Sequence, residues 1–377
     1  MKKWGVKMFL AVFMAVALAG LPAGATGAVN VVSAVPVAAP VAVSGALLTD
    51  QAYDPVWNDA QNRVLIKPQF FADYFDAEVT TAGDVTTIAK NGHTIAFAES
   101  ESIFIMDGIG GRNLDTTNIV SGGEAYIPLR VMCEALGASA EWEEDKAEVV
   151  IGVSGLPENV ASYMKGVTVF DQSTIRLEGE SVVYIDPYRI AGEPHDADII
   201  LVTHTHGDHF DPGSIEKLMK DSTVLLIAGE GGADSAGELG LADVMEVTPN
   251  EEYTIDNVNI KTVPAYNTNP ERMNHRQEFN FVGYIVEING ATYYSAGDTD
   301  YIEAMDAIDA DVAFLPIDGR FNMEESEAAK AANAIAPKIA VPYHYDNFSS
   351  EAKARDFISY LDEGITGVIM TFRMYAN

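Results

Sequence analysis

Four side chains that can bind a metal ion lie within six consecutive residues of this 377-residue chain: His204, His206, Asp208 and His209. They follow the apolar run 199–202, whose length and composition predict a buried β-strand. His204 and His206 are two residues apart, so in an extended chain their side chains point to the same side. Imidazole and carboxylate together suit Zn, Mn or Fe, so the stretch predicts a metal site at a strand end.

The residues after this cluster predict a loop that leads into a helix. Gly207 allows a sharp turn, because glycine adopts backbone conformations that other residues avoid. Asp211 and Pro212 are residue types favoured at the N-cap and the first position of a helix. The alternative is a set of scattered surface histidines. Three of the seven histidines fall in this one loop beside a carboxylate, which favours the metal site.

The loop resembles the H-x-H-x-D-H signature of the metallo-β-lactamase-fold hydrolases. Three later segments resemble later motifs of that superfamily in the same order: Thr-Val-Pro-Ala-Tyr-Asn267, Ser-Ala-Gly-Asp-Thr-Asp300 and Val-Pro-Tyr-His344. The resemblance covers about residues 156–377 and is closest to the branch that includes L-ascorbate-6-phosphate lactonase-like proteins. It implies an α/β fold of the αββα sandwich type, and it does not specify a substrate.

The resemblance also implies two divalent metal ions, Zn or Mn, and a set of ligands for each. One ion would be bound by His204, His206 and His275, the other by Asp208, His209 and His344, with Asp298 bridging them. Two adjacent cations lower the pKa of a shared water and supply hydroxide at neutral pH. That hydroxide would attack an ester, lactone or phosphodiester bond. Asp208 and His209 are the candidate catalytic residues, and Asp208 would orient the nucleophile.

The third ligand of the first ion has two candidates, because many members of the superfamily have a histidine where this chain has Asn267. A neutral amide is a poorer ligand for Zn or Mn than imidazole. His275 follows in a polar loop and is assigned as the ligand, since relatives with the same Pro-Ala-Tyr-Asn motif often have a histidine there. In the alternative, His275 faces substrate or solvent and the first site is weakened.

Four residues near the motifs are candidates for substrate contact: Tyr266, Asn267, Arg320 and Tyr343. Both tyrosines and the arginine could stabilise developing negative charge. Asp318 and Arg320 stand where relatives tend to have a pair of glycines, so they could shape a pocket particular to this chain. Asp186 follows a predicted strand and precedes a proline. It could orient a metal-binding histidine or be an ordinary turn residue.

Residues 1–25 have the features of a signal peptide. Three lysines precede a short apolar run at 8–20, and an Ala-Gly-Ala cleavage motif follows at 23–25. A retained membrane anchor is the alternative, but it needs a longer apolar run. We therefore expect a secreted bacterial protein, extracellular or at the cell surface, without membrane contact after cleavage. Cys133 is the single cysteine, so the chain has no internal disulfide.

The formal charge is −33, with 56 acidic against 23 basic residues. Such a balance argues against nucleic acid or an anionic membrane as a partner bound through a basic patch. It fits a soluble protein outside the cell that acts on a small-molecule substrate.

The part of the chain before the hydrolase-like region reads as a linker, 26–50, and a small α+β domain, 51–154. Within the domain, a helix from Pro128 to Gly137 is followed by two strands joined by a polar turn at 144–146. This resembles the stalk-like domain of bacterial surface proteins named after the copper amine oxidase N-terminal region, and it implies association with the cell wall or surface. A fainter copy begins about sixty residues earlier, near Ile66.

The sequence thus predicts a secreted metal-dependent hydrolase, 156–377, carried behind a surface-associated domain. Every candidate ligand lies after residue 200, so the N-terminal domain is expected to be dispensable for the chemistry. The alternative function is a surface binding or structural protein whose hydrolase domain has decayed, and Asn267 is the feature that keeps it open.

Overall fold

A computed structural model describes most of the chain after residue 36. The described residues are 37–38, 41–43, 46–48, 53, 55–58, 63–99, 101, 103–114, 116, 118–121, 123–143, 148–152, 158–345 and 351–369. The predicted signal peptide and the polar turn at 144–146 lie outside them. Within these ranges, none of the helices has the length and apolar character needed to cross a membrane.

The described residues before 153 form three sheets and two helices. The strands are β1 Val37–Ala38, β2 Val41–Val43, β3 Ala46–Leu47, β4 Val56–Asn58, β5 Arg63–Ile66, β6 Glu78–Ala82, β7 Val85–Lys90, β8 His93–Ala98, β9 Ile103–Met106, β10 Gly110–Asn113, β11 Ile119–Ser121, β12 Glu124–Pro128, β13 Ser139–Glu143 and β14 Glu148–Gly152. The helices are α1 Gln69–Phe75 and α2 Leu129–Ala135. The sheet orders are β1-β4-β5-β12-β11, β10-β9-β8-β7-β6 and β13-β14-β2-β3.

The structure differs from the prediction of a linker at 26–50. Three short strands, β1 to β3, fall in this segment. Strand β2 pairs parallel with β14, and Val41 and Ala42 are buried. Valine favours strands wherever a neighbouring strand offers a ladder and an apolar surface to cover. This part of the segment is therefore built into the N-terminal sheets.

The internal repeat predicted in the N-terminal region is visible as a repeated order of elements. Strand β5, Pro68 and helix α1 precede the β6–β7 hairpin, and strand β12, ending at Pro128, and helix α2 precede the β13–β14 hairpin. Strands β5 and β12 pair antiparallel, with Ile66 opposite Ile127. The two copies thus meet through equivalent strands.

The described residues after 157 form a six-stranded and a seven-stranded sheet with helices between the strands. The strands are β15 Val167–Val169, β16 Ile175–Glu178, β17 Val182–Ile185, β18 Ala197–Val202, β19 Met219–Ala228, β20 Asp243–Val247, β21 Glu252–Ile255, β22 Val258–Pro264, β23 Val282–Ile288, β24 Ala291–Ser295, β25 Val312–Pro316, β26 Ile339–Tyr343 and β27 Thr366–Gly367. The α-helices are α3 Glu158–Met164, α4 Pro212–Leu218, α5 Gly232–Ala236, α6 Glu325–Ile335 and α7 Glu351–Ser359. Strands β15 to β20 form one sheet in sequence order, and strands β21 to β27 form the other.

The two large sheets pack face to face and carry helices on their outer faces. On β18, Ile199 and Leu201 belong to the core between the sheets, whereas Ile200 and Val202 belong to the outer core with helix α4. This alternation is the period of two that a strand imposes. Helix α6 covers the second sheet in the same way. The predicted αββα fold class is confirmed.

The strand and the helix predicted on either side of the histidine cluster are both present, as β18 and α4. Asp211 is the N-cap of α4, and its side chain accepts from the backbone N–H of Gly213. Asn289 and Gly290 both have positive φ and join β23 to β24, as the hairpin requires. The last strand, β27, lies at the edge of the second sheet and pairs parallel with β26.

The outer core of the first sheet is continuous with the core of the N-terminal region. One apolar cluster contains Phe104 and Met106 of β9 together with Phe170, Ile190 and Ile200 of the hydrolase-like region. All of these side chains are buried. The two regions therefore share apolar packing, although the sequence predicted a separate N-terminal domain.

Truncation of Phe170 should test this shared packing. Phe170→Ala in a chain of residues 26–377 should lower the free energy of unfolding by about 3–5 kcal/mol, because a buried ring leaves a cavity. The two tryptophans of that chain, Trp57 and Trp142, both lie in the N-terminal region. We expect their fluorescence transition to move to lower denaturant, and to move less in Phe170→Leu. An unchanged tryptophan transition in Phe170→Ala would contradict shared packing.

Candidate metal centre

The candidate ligands lie just beyond the ends of four strands that finish at the same edge of the sandwich. The cluster His204–His209 follows β18, and the loop to His275 follows β22. Asp298 follows β24, and His344 follows β26 directly. Residues far apart in the sequence meet here because the strands share an edge.

The first group consists of His204, His206 and His275. One ring nitrogen from each lies within 4.8 Å of those of the other two. His206 Nδ1 and His275 Nε2 are 3.2 Å apart. His204 and His275 are buried, and His206 is exposed at the mouth of the site.

The second group consists of Asp208, His209 and His344, and its donor atoms also lie within 4.8 Å of one another. The Nε2 atoms of His209 and His344 are 3.2 Å apart. Asp208 Oδ2 lies 3.6 Å from His344 Nε2. Both histidines are fully buried, whereas the Asp208 side chain is 35 % exposed, so this group opens to solvent through its carboxylate.

Asp298 lies between the two groups. Its Oδ1 is 3.2 Å from His344 Nε2 and 3.6 Å from His209 Nε2, and its Oδ2 is 3.5 Å from His275 Nε2. The carboxylate is 4 % exposed. One oxygen thus faces each group, which is the geometry of a bridging ligand.

A buried carboxylate lies behind each histidine of the second group. Asp186 Oδ2 lies 2.8 Å from His209 Nδ1, and its Oδ1 accepts from the Thr203 backbone N–H at 2.7 Å. Asp318 Oδ2 lies 3.2 Å from His344 Nδ1. A carboxylate behind a histidine fixes the ring orientation and leaves Nε2 for a metal. Of the two roles open to Asp186, the structure shows the orienting one.

Asn267 supports His275 rather than replacing it. Its Oδ1 accepts from the His275 backbone N–H at 2.9 Å and lies 3.2 Å from His275 Nδ1. Its Nδ2 donates to Asp300 Oδ1 at 3.2 Å. Asp300 Oδ2 in turn accepts from the backbone N–H groups of Thr268 and Asn269. The loop is therefore pinned so that His275 Nε2 points into the first group.

Two buried amides in the centre were missed by the sequence analysis. Gln172 Nε2 donates to Asp208 Oδ2 at 3.0 Å, and Asn322 Nδ2 donates to Asp298 Oδ1 at 3.2 Å. These partners are 36 and 24 residues apart in the chain. No local pattern marks a single glutamine or asparagine as part of a metal centre, so only the fold could reveal them.

The candidate substrate-contact residues occupy different positions. Tyr343 is buried, and its hydroxyl lies 3.3 Å from the Gly297 carbonyl oxygen, which corrects the expectation that it faces substrate. The Asn267 side chain is hydrogen-bonded to His275. Arg320 is exposed, with its guanidinium 4.9 Å from the Phe321 ring centroid. Tyr266 lines a cavity of about 360 Å³ whose wall includes Phe281. The ring centroids of Phe281 and His204 are 5.0 Å apart.

The charge state of the ligands suits a cation. Burial lowers the pKa of His204, His206 and His275, so these imidazoles are neutral, the form that binds metal. Burial opposes charge on His209 as well, but Asp298 and Asp186 outweigh it and raise the pKa of His209 to about 10. Burial also opposes charge on His344, but the Asp298 carboxylate is the largest of the influences that raise the pKa of His344. Protons on His209 and His344 would balance the charge of the buried carboxylates, as a divalent ion would in the metal-loaded protein.

The buried donor set fits a metal ion. His204 Nε2 is buried without a hydrogen-bond partner in the described structure, while its Nδ1 is 3.0 Å from the Thr203 hydroxyl. A buried unpartnered nitrogen is costly unless something else binds it. The donor groups found among the described residues all belong to this centre, and the N-terminal region contributes none.

Comparison with known proteins agrees with this geometry. Residues 166–344 match the β-lactamase superfamily domain, and residues 50–151 match the copper amine oxidase N-terminal domain. A metal-dependent hydrolase of Thermococcus kodakarensis is 34% identical over 199 residues, covering 49% of this chain and 86% of the relative. One of Thermoplasma acidophilum is 32% identical, covering 46% and 79%.

A solved structure of a metal-dependent hydrolase described as putative, from Parabacteroides distasonis, is 33% identical, with a TM-score of 0.46, covering 55% of this chain and 93% of that one. The match of residues 166–344 to the β-lactamase superfamily domain, together with the αββα sandwich, assigns the C-terminal region to the metallo-β-lactamase fold. The chain belongs to the UPF0173 family of metal-dependent hydrolases.

Removal of His275 should weaken metal binding more than removal of its support. His275→Ala should lower the affinity of the first site by more than about tenfold, because an outer-shell loss alone costs about 10- to 100-fold. Asn267→Ala should cost less, since it removes a hydrogen-bond partner of His275 and no metal ligand. The measurement is metal affinity and stoichiometry at fixed pH. Parental binding by His275→Ala would contradict the assignment.

Proposed function

We propose that this protein is a secreted hydrolase that uses two divalent ions, Zn or Mn, to cleave an ester, lactone or phosphodiester bond in a small molecule. The observation that carries the proposal is the Asp298 carboxylate, whose Oδ1 faces His344 and His209 and whose Oδ2 faces His275. A buried carboxylate in that position could bind two cations at once. Imidazole with carboxylate is the donor set that suits Zn and Mn.

The bound ions would supply Lewis acidity and lower the pKa of a water to be used as the nucleophile. Asp208 is placed to handle the proton of that water. Its carboxylate is the exposed member of the second group, and Gln172 Nε2 holds Oδ2 at 3.0 Å. In the metal-loaded protein, the Asp208 carboxylate would orient that water and pass its proton to the leaving group. Gln172 would keep the carboxylate aimed at the centre.

The position of the ligands supports a substrate that approaches from one side. His206 and Asp208 are the more exposed ligands, whereas His204, His209 and Asp298 are buried. Ester, lactone and phosphodiester cleavage all develop negative charge on an oxygen near the metals. Arg320 is the exposed cation of the candidate set, and Asp318 accepts from its backbone N–H. We therefore propose that Arg320 contacts substrate and favours anionic ones.

The competing function, a binding protein with a decayed site, rested on Asn267. That residue accepts hydrogen bonds from His275 and so supports a complete ligand set. A decayed site would also be expected to lose the carboxylates behind its histidines, yet Asp186 and Asp318 are both in place. These contacts favour the enzyme.

Secretion is part of the proposal and rests on the N-terminal sequence. A basic start, a short apolar run and an Ala-Gly-Ala motif precede the described residues, and the chain has a charge of −33. The match to the copper amine oxidase N-terminal domain supports surface association. Expression in a bacterial host should yield a mature chain beginning near residue 26 in the culture medium or on the cell surface. Full-length protein retained in the cytoplasm would contradict secretion.

Asp298 gives the sharpest test of the catalytic proposal. Asp298→Ala should lose most hydrolysis and one metal equivalent, because the ions would then repel each other without the shared carboxylate. Asp309→Ala, an exposed carboxylate away from the ligands, is the matched control and should keep both. The measurements are metal content and turnover over a panel of phosphodiesters, lactones and esters. Two retained metals with parental turnover in Asp298→Ala would rule out the bridging role.

A further inference from the structure

The turn between β9 and β10 of the N-terminal region docks on the hydrolase region beside the metal centre. The Ile109 carbonyl accepts from the backbone N–H groups of Ala191 and Gly192 at 2.7 and 3.0 Å. Gly110 forms an antiparallel bridge with Ile190. A Cβ on Gly110 would lie 2.7 Å from the Phe170 ring, so only glycine permits this approach. The docking is therefore a close fit of backbone to backbone.

The next residue of the hairpin bonds to a loop that enters the centre. The Gly111 carbonyl accepts from the Asp171 backbone N–H at 2.8 Å. Asp171 is followed by Gln172, whose side chain donates to Asp208. The Gln172 carbonyl accepts from the backbone N–H of His344 at 3.0 Å. Strand β10 is thus bonded to Asp171, and the next residue, Gln172, contacts both Asp208 and His344.

Arg112 connects the N-terminal region to His344 by a second route, through the neighbouring residue Tyr345. Its Nη2 donates to the Tyr345 hydroxyl at 3.2 Å, and its guanidinium lies 5.8 Å from the Tyr345 ring centroid. Arg112 is 6 % exposed and Tyr345 is 4 % exposed. A buried guanidinium is costly unless it is bonded, and the Tyr345 hydroxyl is one of its partners.

His344 needs support of this kind because its backbone is in the left-handed region, with φ of 57°. A non-glycine residue keeps that conformation only where its neighbours impose it. On one side the Gln172 carbonyl holds the His344 N–H, and on the other side Arg112 holds Tyr345. Both supports depend on the β9–β10 hairpin.

We propose that Arg112 is a positioning residue for the metal centre, acting through Tyr345 on His344, and that the N-terminal region is therefore part of the enzyme's working site. The inference rests on the proposed function, because it assigns His344 to the second metal. It revises the expectation that the N-terminal domain is dispensable. Arg112 does not touch the metals or the substrate.

The test is the affinity of the metal-free chain of residues 26–377 for Zn, titrated against a competing chelator. His344→Ala first identifies which binding event belongs to the second site. Arg112→Ala should weaken that event by about tenfold or more, the range seen for outer-shell losses, and leave the other event unchanged. Tyr345→Phe should act in the same direction, and Arg112→Lys should recover part of the loss. The double variant Arg112→Ala/Tyr345→Phe should lose no more than Arg112→Ala, since the two side chains act as one unit.

Arg130→Ala is the matched control. Among the described residues, the Arg130 guanidinium contacts the N-terminal region: its Nε donates to the Ala140 carbonyl at 2.9 Å, and its Nη2 lies 4.0 Å from the Glu141 carboxylate. It should leave both binding events unchanged. Equal weakening of both events in Arg112→Ala, or an effect no larger than that of Arg130→Ala, would overturn the inference.

A second readout uses neither metal nor substrate. The ring nitrogen NMR signals of His344 in the metal-free chain should shift in Arg112→Ala and stay in place in Arg130→Ala. Unshifted signals would overturn the inference. A parent that binds two Zn ions but cleaves nothing in the panel would defeat the proposed hydrolysis and leave the role of Arg112 intact.

Discussion

The structure depends on a set of carboxylates held inside the protein among histidines. Asp186, Asp298 and Asp318 are almost fully buried, and each lies within 3.2 Å of a ring nitrogen of His209 or His344. Isolated charges of this kind would destabilise the fold, so they require compensating positive charge. Bound divalent ions would provide it, and the sandwich supplies the rigid strand ends that hold the donors ready. Stability and chemistry are therefore coupled at one edge of the sheets.

Local patterns in the sequence contained much of this arrangement. The ligands His204 to His209 are adjacent in the chain, so the cluster is visible without the fold. The strand that carries His344 is an apolar run with clear boundaries, 339–343. The Asn289-Gly290 turn fixes the register of β23 and β24, and thereby the position of Asp298 beyond the second strand.

The remaining features could not be predicted because they depend on contacts between distant residues. Asn267 looked like a lost ligand, and only the folded loop shows that its amide supports His275. Gln172 lies in a short turn whose composition gives no sign of a metal. The docking of Gly110 and Arg112 is equally hidden, since a glycine and an arginine on a short strand are common in any surface hairpin. Valines at 41 and 43 read as a linker because their strand partner, β14, lies about a hundred residues away.

The shared core and the Arg112 contact make the N-terminal region more than a carrier. Its β9–β10 hairpin contacts the loops that hold Gln172 and His344. The same region matches the copper amine oxidase N-terminal domain, on which the proposal of surface association rests.

The central claim is a pair of metal ions on either side of Asp298. Anomalous scattering from crystals of the Zn- or Mn-loaded protein tests it most directly. The account predicts two peaks about 3.5–4 Å apart, the separation usual for two-metal sites, one beside His204, His206 and His275 and the other beside Asp208, His209 and His344. A single peak, or peaks that do not contact the Asp298 carboxylate, would contradict it.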